Sequence, residues 1–219
     1  MKVDLIAISL LAVSFLFLFG MTELLYHCFK WKGELTRKIA HIGTGIITLL
    51  FPILLTSHWS VLLLSSSFLL LLSLSMRFNF LQSINAIDRT SYGSLLYPIS
   101  VYGCFYAYDS FNQEILFFYL PILTLAICDP IAALAGKRKP FGKYKRGSKS
   151  LSGTLGFMGS CLILSCILMW MLTNLNTFNI ILYSAVVAVL SSLTETISGK
   201  GFDNLSIPLI VIIILKFIL

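Results

Sequence analysis

Charge is scarce in this chain. Of its 219 residues only 11% are Asp, Glu, Lys or Arg, and nine are acidic; a soluble domain carries about a quarter charged residues. A water-facing exterior cannot be built from so few polar groups when 58% of the residues are hydrophobic and the mean hydropathy is +0.92. That excludes a soluble enzyme, a disordered chain and a nucleic-acid-binding domain, and no nucleic-acid partner is expected. The five cysteines, Cys28, Cys104, Cys128, Cys161 and Cys166, include no C-x-x-C pair, and most sit in apolar runs. They read as small buried hydrophobes, without a disulfide frame or zinc site.

What is present is a succession of apolar segments, at about 3–29, 38–57, 59–76, 93–108, 115–136, 153–172, 178–197 and 205–219. At ~20 residues per crossing, they predict an all-α, polytopic integral membrane bundle of about eight transmembrane helices (seven to nine), forming one domain over residues 1–219. The first segment is too long for a signal-peptide core, lacks a small-x-small cleavage site and is followed by further spans. The fourth and eighth segments are short, and Pro98 and Gly103 interrupt the fourth.

The cations mark one side. Fourteen of the sixteen Lys and Arg residues fall in or beside the odd-numbered connections, 30–37, 77–92, 137–152 and 198–204, and none in the even ones. Basic loops stay in the cytoplasm, so that side is expected to be cytoplasmic. The short loops suggest a bacterial inner membrane.

Ionisable groups inside a bilayer cost about 2.5–3.5 kcal/mol each on insertion scales, so those that persist point to function. Four clusters fall on the basic side. At the start of the second helix, Arg37, His41, Thr44 and Thr48 share one helical stripe, expected to line a polar cavity. Asp88 and Arg89 lie in the next basic loop. Asp129 is the only acid between Glu114 and Glu195, and Ala132, Ala133 and Gly136 beside it clear a face for a helix or a ligand. The loop that follows, Lys137–Ser152, holds seven cations among sixteen residues and no acid. Its glycines and the helix start near Ser152 suit a polyphosphate. It is not a P-loop, because Gly136 and Gly142 are one residue too far apart and Tyr144 follows Lys143. The fourth cluster is Glu195, Lys200, Asp203 and Asn204, in which Asp203 and Asn204 could also cap a helix.

Three acids (Asp129, Glu195, Asp203) could hold Mg²⁺, and the cations could balance a triphosphate. Phosphoryl transfer needs a metal, a cationic clamp and an aligned acceptor. A cavity between helices would admit a lipid hydroxyl from the bilayer. These features alone allow either phosphoryl or nucleotidyl transfer to a lipid, and a basic loop could also serve a transporter or an acidic-lipid-binding protein.

At these residues the chain resembles the polyprenol kinase group: dolichol kinase, phytol kinase and CTP-dependent diacylglycerol kinase, distantly similar to phosphatidate cytidylyltransferase. The resemblance runs in order through Arg37-Lys38-x-x-His41 with Gly45, Asp129-x-x-Ala132-x-x-x-Gly136, Gly142-Lys143, Lys149-Ser150-x-x-Gly153-Thr154, and Glu195 with Asp203-Asn204 and Pro208. It implies Mg²⁺-dependent transfer of the γ-phosphate of CTP to a membrane lipid alcohol in isoprenoid or phospholipid metabolism. The acceptor could be a polyprenol, a phytol-like alcohol or diacylglycerol. By the same resemblance, Asp129, Glu195 and Asp203 would bind metal, with Asp129 also a candidate to take the hydroxyl proton. Lys143, Arg146, Lys149, Ser150, Gly153, Thr154, Gly136 and Gly142 would hold the nucleotide phosphates. Arg37, His41 and Asn204 would meet the acceptor, and Asp129, Lys149, Glu195 and His41 would form the catalytic set. Many relatives carry an acid where Ser152 stands. The G-G-x-D-R signature of the cytidylyltransferases is missing, which ranks CDP-lipid synthesis below the kinase. The oligomeric state is left open, a homo-oligomer included.

Overall fold

The computed structural model describes residues 4–86, 91–138, 141–142 and 149–219. They form helices throughout. In chain order these are α1 (Leu5–His27), α2 (Gly33–Thr48), α3 (Phe51–Leu54), α4 (His58–Phe78), α5 (Gln82–Asn85), α6 (Gly93–Ser110) and α7 (Leu116–Leu123), then a π-helical turn (Thr124–Cys128), α8 (Asp129–Arg138), α9 (Leu151–Leu172), α10 (Thr177–Ile197) and α11 (Asp203–Ile218).

Among the described residues, six stretches are long and apolar enough to cross a membrane: Leu5–His27, Gly33–Leu54, His58–Phe78, Leu116–Arg138, Leu151–Leu172 and Thr177–Ile197. Two of the eight expected spans fall short for physical reasons. Helix α6 carries Pro98 and four tyrosines, Tyr97, Tyr102, Tyr106 and Tyr108, which lower its hydropathy. Helix α11 has 16 residues, about 24 Å at helical rise, against a hydrocarbon core of ~30 Å. Both still pack in the bundle, α6 against α4 and α11. The outward surface is apolar. Phe217 is 85% exposed and Trp170 75%, as lipid-facing side chains would be.

The stretch Leu116–Arg138 is the axis, with 67% of its most apolar window buried. Its residues serve two cores at once. Leu116, Phe117, Leu120 and Cys128 pack with α9, α10 and α11, while Phe118, Ile122 and Leu125 pack with α1, α4 and α6. Close approaches are made through small residues, as membrane helices prefer where burial of apolar surface gives no driving force. A methyl group added at Gly156 on α9 would stand 2.8 Å from the Ala135 Cβ on α8, and one at Gly45 on α2 would stand 2.3 Å from the Ala126 Cβ of the π turn. Helix α10 turns one stripe inward, Ser184, Val187, Ala188, Ser191, Ser192 and Glu195, at the i, i+3, i+4, i+7 spacing of a buried face.

Polar contacts tie the two ends of the bundle. At the end away from the basic loops, the Asp4 carboxylate accepts from the Thr56 N–H at 2.9 Å and the Ser60 hydroxyl at 3.0 Å. At the basic end, the Thr36 hydroxyl donates to the Ser83 carbonyl at 2.7 Å, the Ser83 N–H donates to Glu23 at 2.8 Å, and the Tyr92 N–H donates to the Lys200 carbonyl at 2.8 Å.

Two glycines on α9 test the small-residue packing. Gly156→Leu should lower stability by about 1–3 kcal/mol through overpacking, read as the unfolding midpoint in detergent. Gly159→Leu should leave it unchanged or raise it, because a Cβ at Gly159 meets nothing within 4 Å.

Candidate active site

The site is built around an interruption in the central helix. Between α7 and α8 the backbone winds as a π turn ending at Cys128, a feature often found at functional positions. Pro130 explains one consequence. In the π register the Leu125 carbonyl would be met by the N–H five residues on, at Pro130, which has none. His41 takes that place, its Nε2 lying 3.0 Å from the Leu125 oxygen. A carbonyl only accepts, so Nε2 carries the proton and donates. The imidazole is braced edge-on by Tyr97, with centroids 4.8 Å apart, and the Tyr97 hydroxyl donates to the His41 carbonyl at 3.3 Å. Helix α2 is thereby fastened to the turn that presents Asp129.

Asp129 opens α8, Glu195 closes the inward stripe of α10 and Asp203 opens α11. One oxygen from each lies within 4.8 Å of the other two. Lys149, just ahead of α9, enters the group. Its ammonium is 2.7 Å from Glu195 Oε1 and 3.3 Å from Asp203 Oδ2, and it also donates to the Glu195 backbone carbonyl. An octahedral magnesium ion with ~2.1 Å bonds sets opposed oxygens ~4.2 Å apart. The all-carboxylate donor set therefore suits such an ion after small side-chain rotations. Asp203 is not the helix cap that its position allowed, since Phe202 holds that place. Asp203 Oδ1 instead accepts from the Asn204 N–H at 3.1 Å.

The other expected residues fall in several places. Gly136 and Gly153 lie at the α8–α9 crossing, where their Cα atoms face each other at a spacing that leaves no room for a Cβ at Gly136 beside the Ser150 hydroxyl. The face cleared by Ala132 and Gly136 thus receives a helix. Ser150 caps α9, its hydroxyl accepting from the Gly153 N–H at 3.3 Å, and the Thr154 N–H donates to the Ser150 carbonyl. These two N–H groups are used within the first turn of α9; the Thr154 hydroxyl meets the Thr196 hydroxyl at 3.0 Å. Gly142, at φ +60°, accepts through its carbonyl from the Leu151 N–H. Asn204 is buried and its amide donates to the Gly93 carbonyl at 2.7 Å, stitching α11 to α6. Lys143 and Arg146, with the Asp88–Arg89 cluster, lie outside the described residues.

Two cavities share residues here. A polar one of about 280 Å³ is lined by the three acids and Lys149, by Arg37, Lys38 and His41, and by Lys137, which pairs with Glu34. An apolar slot runs between α1, α2, α4 and α6. Arg37, His41 and Asn204 stand in the walls of both. The Arg37–Thr48 stripe therefore differs from expectation along its length: Arg37 and His41 face the polar cavity, whereas Thr44 and Thr48 line only the slot. The Thr48 hydroxyl is satisfied by the Gly45 carbonyl at 2.7 Å, so it offers the slot no free donor. Sequence reasoning missed Tyr97, Leu125 and the Glu34–Lys137 pair. A Pro directly after an acid within an apolar run was the available signal for an orphaned carbonyl nearby.

Fold and site together define a multi-pass helical membrane protein with a carboxylate–lysine centre at its basic end. A phytol kinase from Synechocystis sp. is 30% identical over 189 residues, covering 85% of this chain and 80% of that protein. The chain belongs to the polyprenol and phytol kinase family. No protein-family profile matches it, and no solved structure does.

Replacing His41 tests its bond to the π turn. His41→Phe leaves a buried carbonyl unpaired and should cost about 1–3 kcal/mol. His41→Gln, which keeps an N–H donor, should recover part of that loss when unfolding midpoints are compared.

Proposed function

We propose that this chain is a lipid-alcohol kinase that transfers the γ-phosphate of CTP, with Mg²⁺, to the hydroxyl of a membrane lipid. The observation that carries the reading is the shared wall. A polar cavity with three acids and several cations shares Arg37, His41 and Asn204 with an apolar slot inside the bundle. A soluble triphosphate and a lipid hydroxyl could meet at that wall and nowhere else along the slot. The phytol kinase relative supports a kinase with an alcohol acceptor. CTP as the donor rests on the motif resemblance.

Asp129, Glu195 and Asp203 are the residues that would hold Mg²⁺, which supplies charge neutralisation for the triphosphate. Lys149, which ion-pairs Glu195 and Asp203, balances charge on the same wall and is suited to a phosphate oxygen. Lys137 and Lys38 add positive charge to that cavity, and Lys143 and Arg146 are assigned to the phosphates on their motif. Arg37 flanks the acceptor hydroxyl. Asp129 follows the turn that His41 braces, and we assign it the hydroxyl proton. In the reaction the acceptor oxygen bonds to the γ-phosphorus, the bond from that phosphorus to the β–γ bridging oxygen breaks, CDP leaves, and the proton passes to Asp129. The excess of Lys and Arg at this end orients it to the cytoplasm, in a bacterial inner membrane.

One assay tests the reading. Purified protein in lipid is given a panel of alcohols with CTP labelled at the γ- or the α-phosphate. Label in the lipid from γ-labelled CTP alone is expected. Label from α-labelled CTP would mean nucleotidyl transfer, and none from either would remove the kinase assignment. Asp129→Asn should lower turnover about 10²–10⁴-fold without lowering the unfolding midpoint, because it removes one of three crowded like charges.

A further inference from the structure

The apolar slot has one chemistry at its mouth and another along its length. At the mouth stand Arg37, His41 and Asn204. Beyond them helix α2 leads away from the basic end and α4 returns to it, so Arg37 to Thr48 and Leu72 to Leu64 trace the same path in opposite directions. Eleven positions from Arg37 to Thr48 make ~16 Å at helical rise, over half of the ~30 Å hydrocarbon core. The slot ends at Phe15, Phe51 and Leu64, each under 5% exposed.

Phe68 sits in the middle of this path. Its ring packs edge-on against Phe15 at 5.0 Å and Phe19 at 5.9 Å, and Phe15 in turn meets Phe51 at 6.1 Å. Edge-to-face phenyl contacts of this kind contribute about 0.5–1.5 kcal/mol each, little enough for a bound chain to displace. The free space of the slot is about 80 Å³, too little for a long hydrocarbon chain unless the Phe68 ring turns aside. The occupant must be a flexible apolar chain with a single polar end. A second copy of the protein or a whole helix is far too large for the slot's free space. A polar solute would find a mostly apolar lining, in which the Thr48 hydroxyl is already bonded to Gly45.

We propose that this slot holds the hydrocarbon tail of the acceptor alcohol, and that Phe68 sets the tail length accepted. The proposal rests on the lipid-alcohol kinase reading for the nature of its ligand, and its test is separable from that reading.

Two measurements on the full-length protein in nanodiscs decide it. The first uses a long-chain alcohol carrying a photoreactive diazirine at its tail end. Crosslinks should fall on peptides containing Phe15, Phe51 or Leu64. Crosslinks confined to lipid-facing positions such as Trp170 and Phe217 would overturn the slot. This readout needs no turnover: slot labelling without phosphate transfer to any alcohol would remove the kinase reading and leave the slot standing, while transfer with lipid-facing labelling alone would do the reverse. The second measures kcat/KM across alcohols of increasing length. Phe68→Ala should raise the long-to-short ratio about tenfold, and Leu72→Trp, which narrows the path nearer the mouth, should lower it by a similar factor. Phe68→Leu, a milder change, should shift the ratio in the same direction as Phe68→Ala and guards against loss of folding. An unchanged ratio in both Phe68 variants would overturn the role of Phe68.

Discussion

One ammonium group holds the basic end together. Lys149 reaches from the start of α9 to Glu195 at the end of α10 and Asp203 at the start of α11, so a single side chain joins three helix termini. Without it, Glu195 and Asp203 would face each other and Asp129 across less than 5 Å, in a medium where unpaired charge is costly. The pairing explains how three acids can be kept where a chain with only nine has few to spend.

The remaining geometry brings the acids to that lysine. Helix α8 approaches α9 through Ala135 and Gly156, which sets Asp129 opposite Lys149. The π turn before Asp129 is held by His41 where Pro130 removes the backbone donor. Asn204 bonds the Gly93 carbonyl and fixes the start of α11, and with it Asp203, against α6. The polar centre is thus assembled by close backbone approach more than by side-chain bulk, as expected where lipid replaces water outside.

The acids were legible in the sequence because intramembrane charge is expensive and theirs fell on one side of the alternating loops. Asp129, Glu195 and Asp203 were grouped on those grounds, and the structure brings their oxygens together. Other features were illegible for a physical reason: they depend on which groups are already satisfied. Ser150, Gly153 and Thr154 line the polar cavity beside the acids, but the sequence does not show that the Gly153 and Thr154 N–H groups close the first turn of α9. Thr44 and Thr48 look like a polar stripe, yet the Thr48 hydroxyl turns back on its own helix. The slot needed residues from four helices distant in sequence, and no local pattern announces it. Six of the eight expected spans meet the length and hydropathy of a crossing among the described residues; apolar runs alone hide the tyrosines of α6 and the short reach of α11.

The central claim is that Asp129, Glu195 and Asp203 act as one cation-binding unit beside Lys149. Titration of the purified protein with Mn²⁺, followed by the loss of the free-ion EPR signal, tests it most directly. One site of highest affinity is expected, weakened about tenfold or more by each of Asp129→Asn, Glu195→Gln and Asp203→Asn. Equal Mn²⁺ affinity in the unaltered protein and all three variants would contradict it.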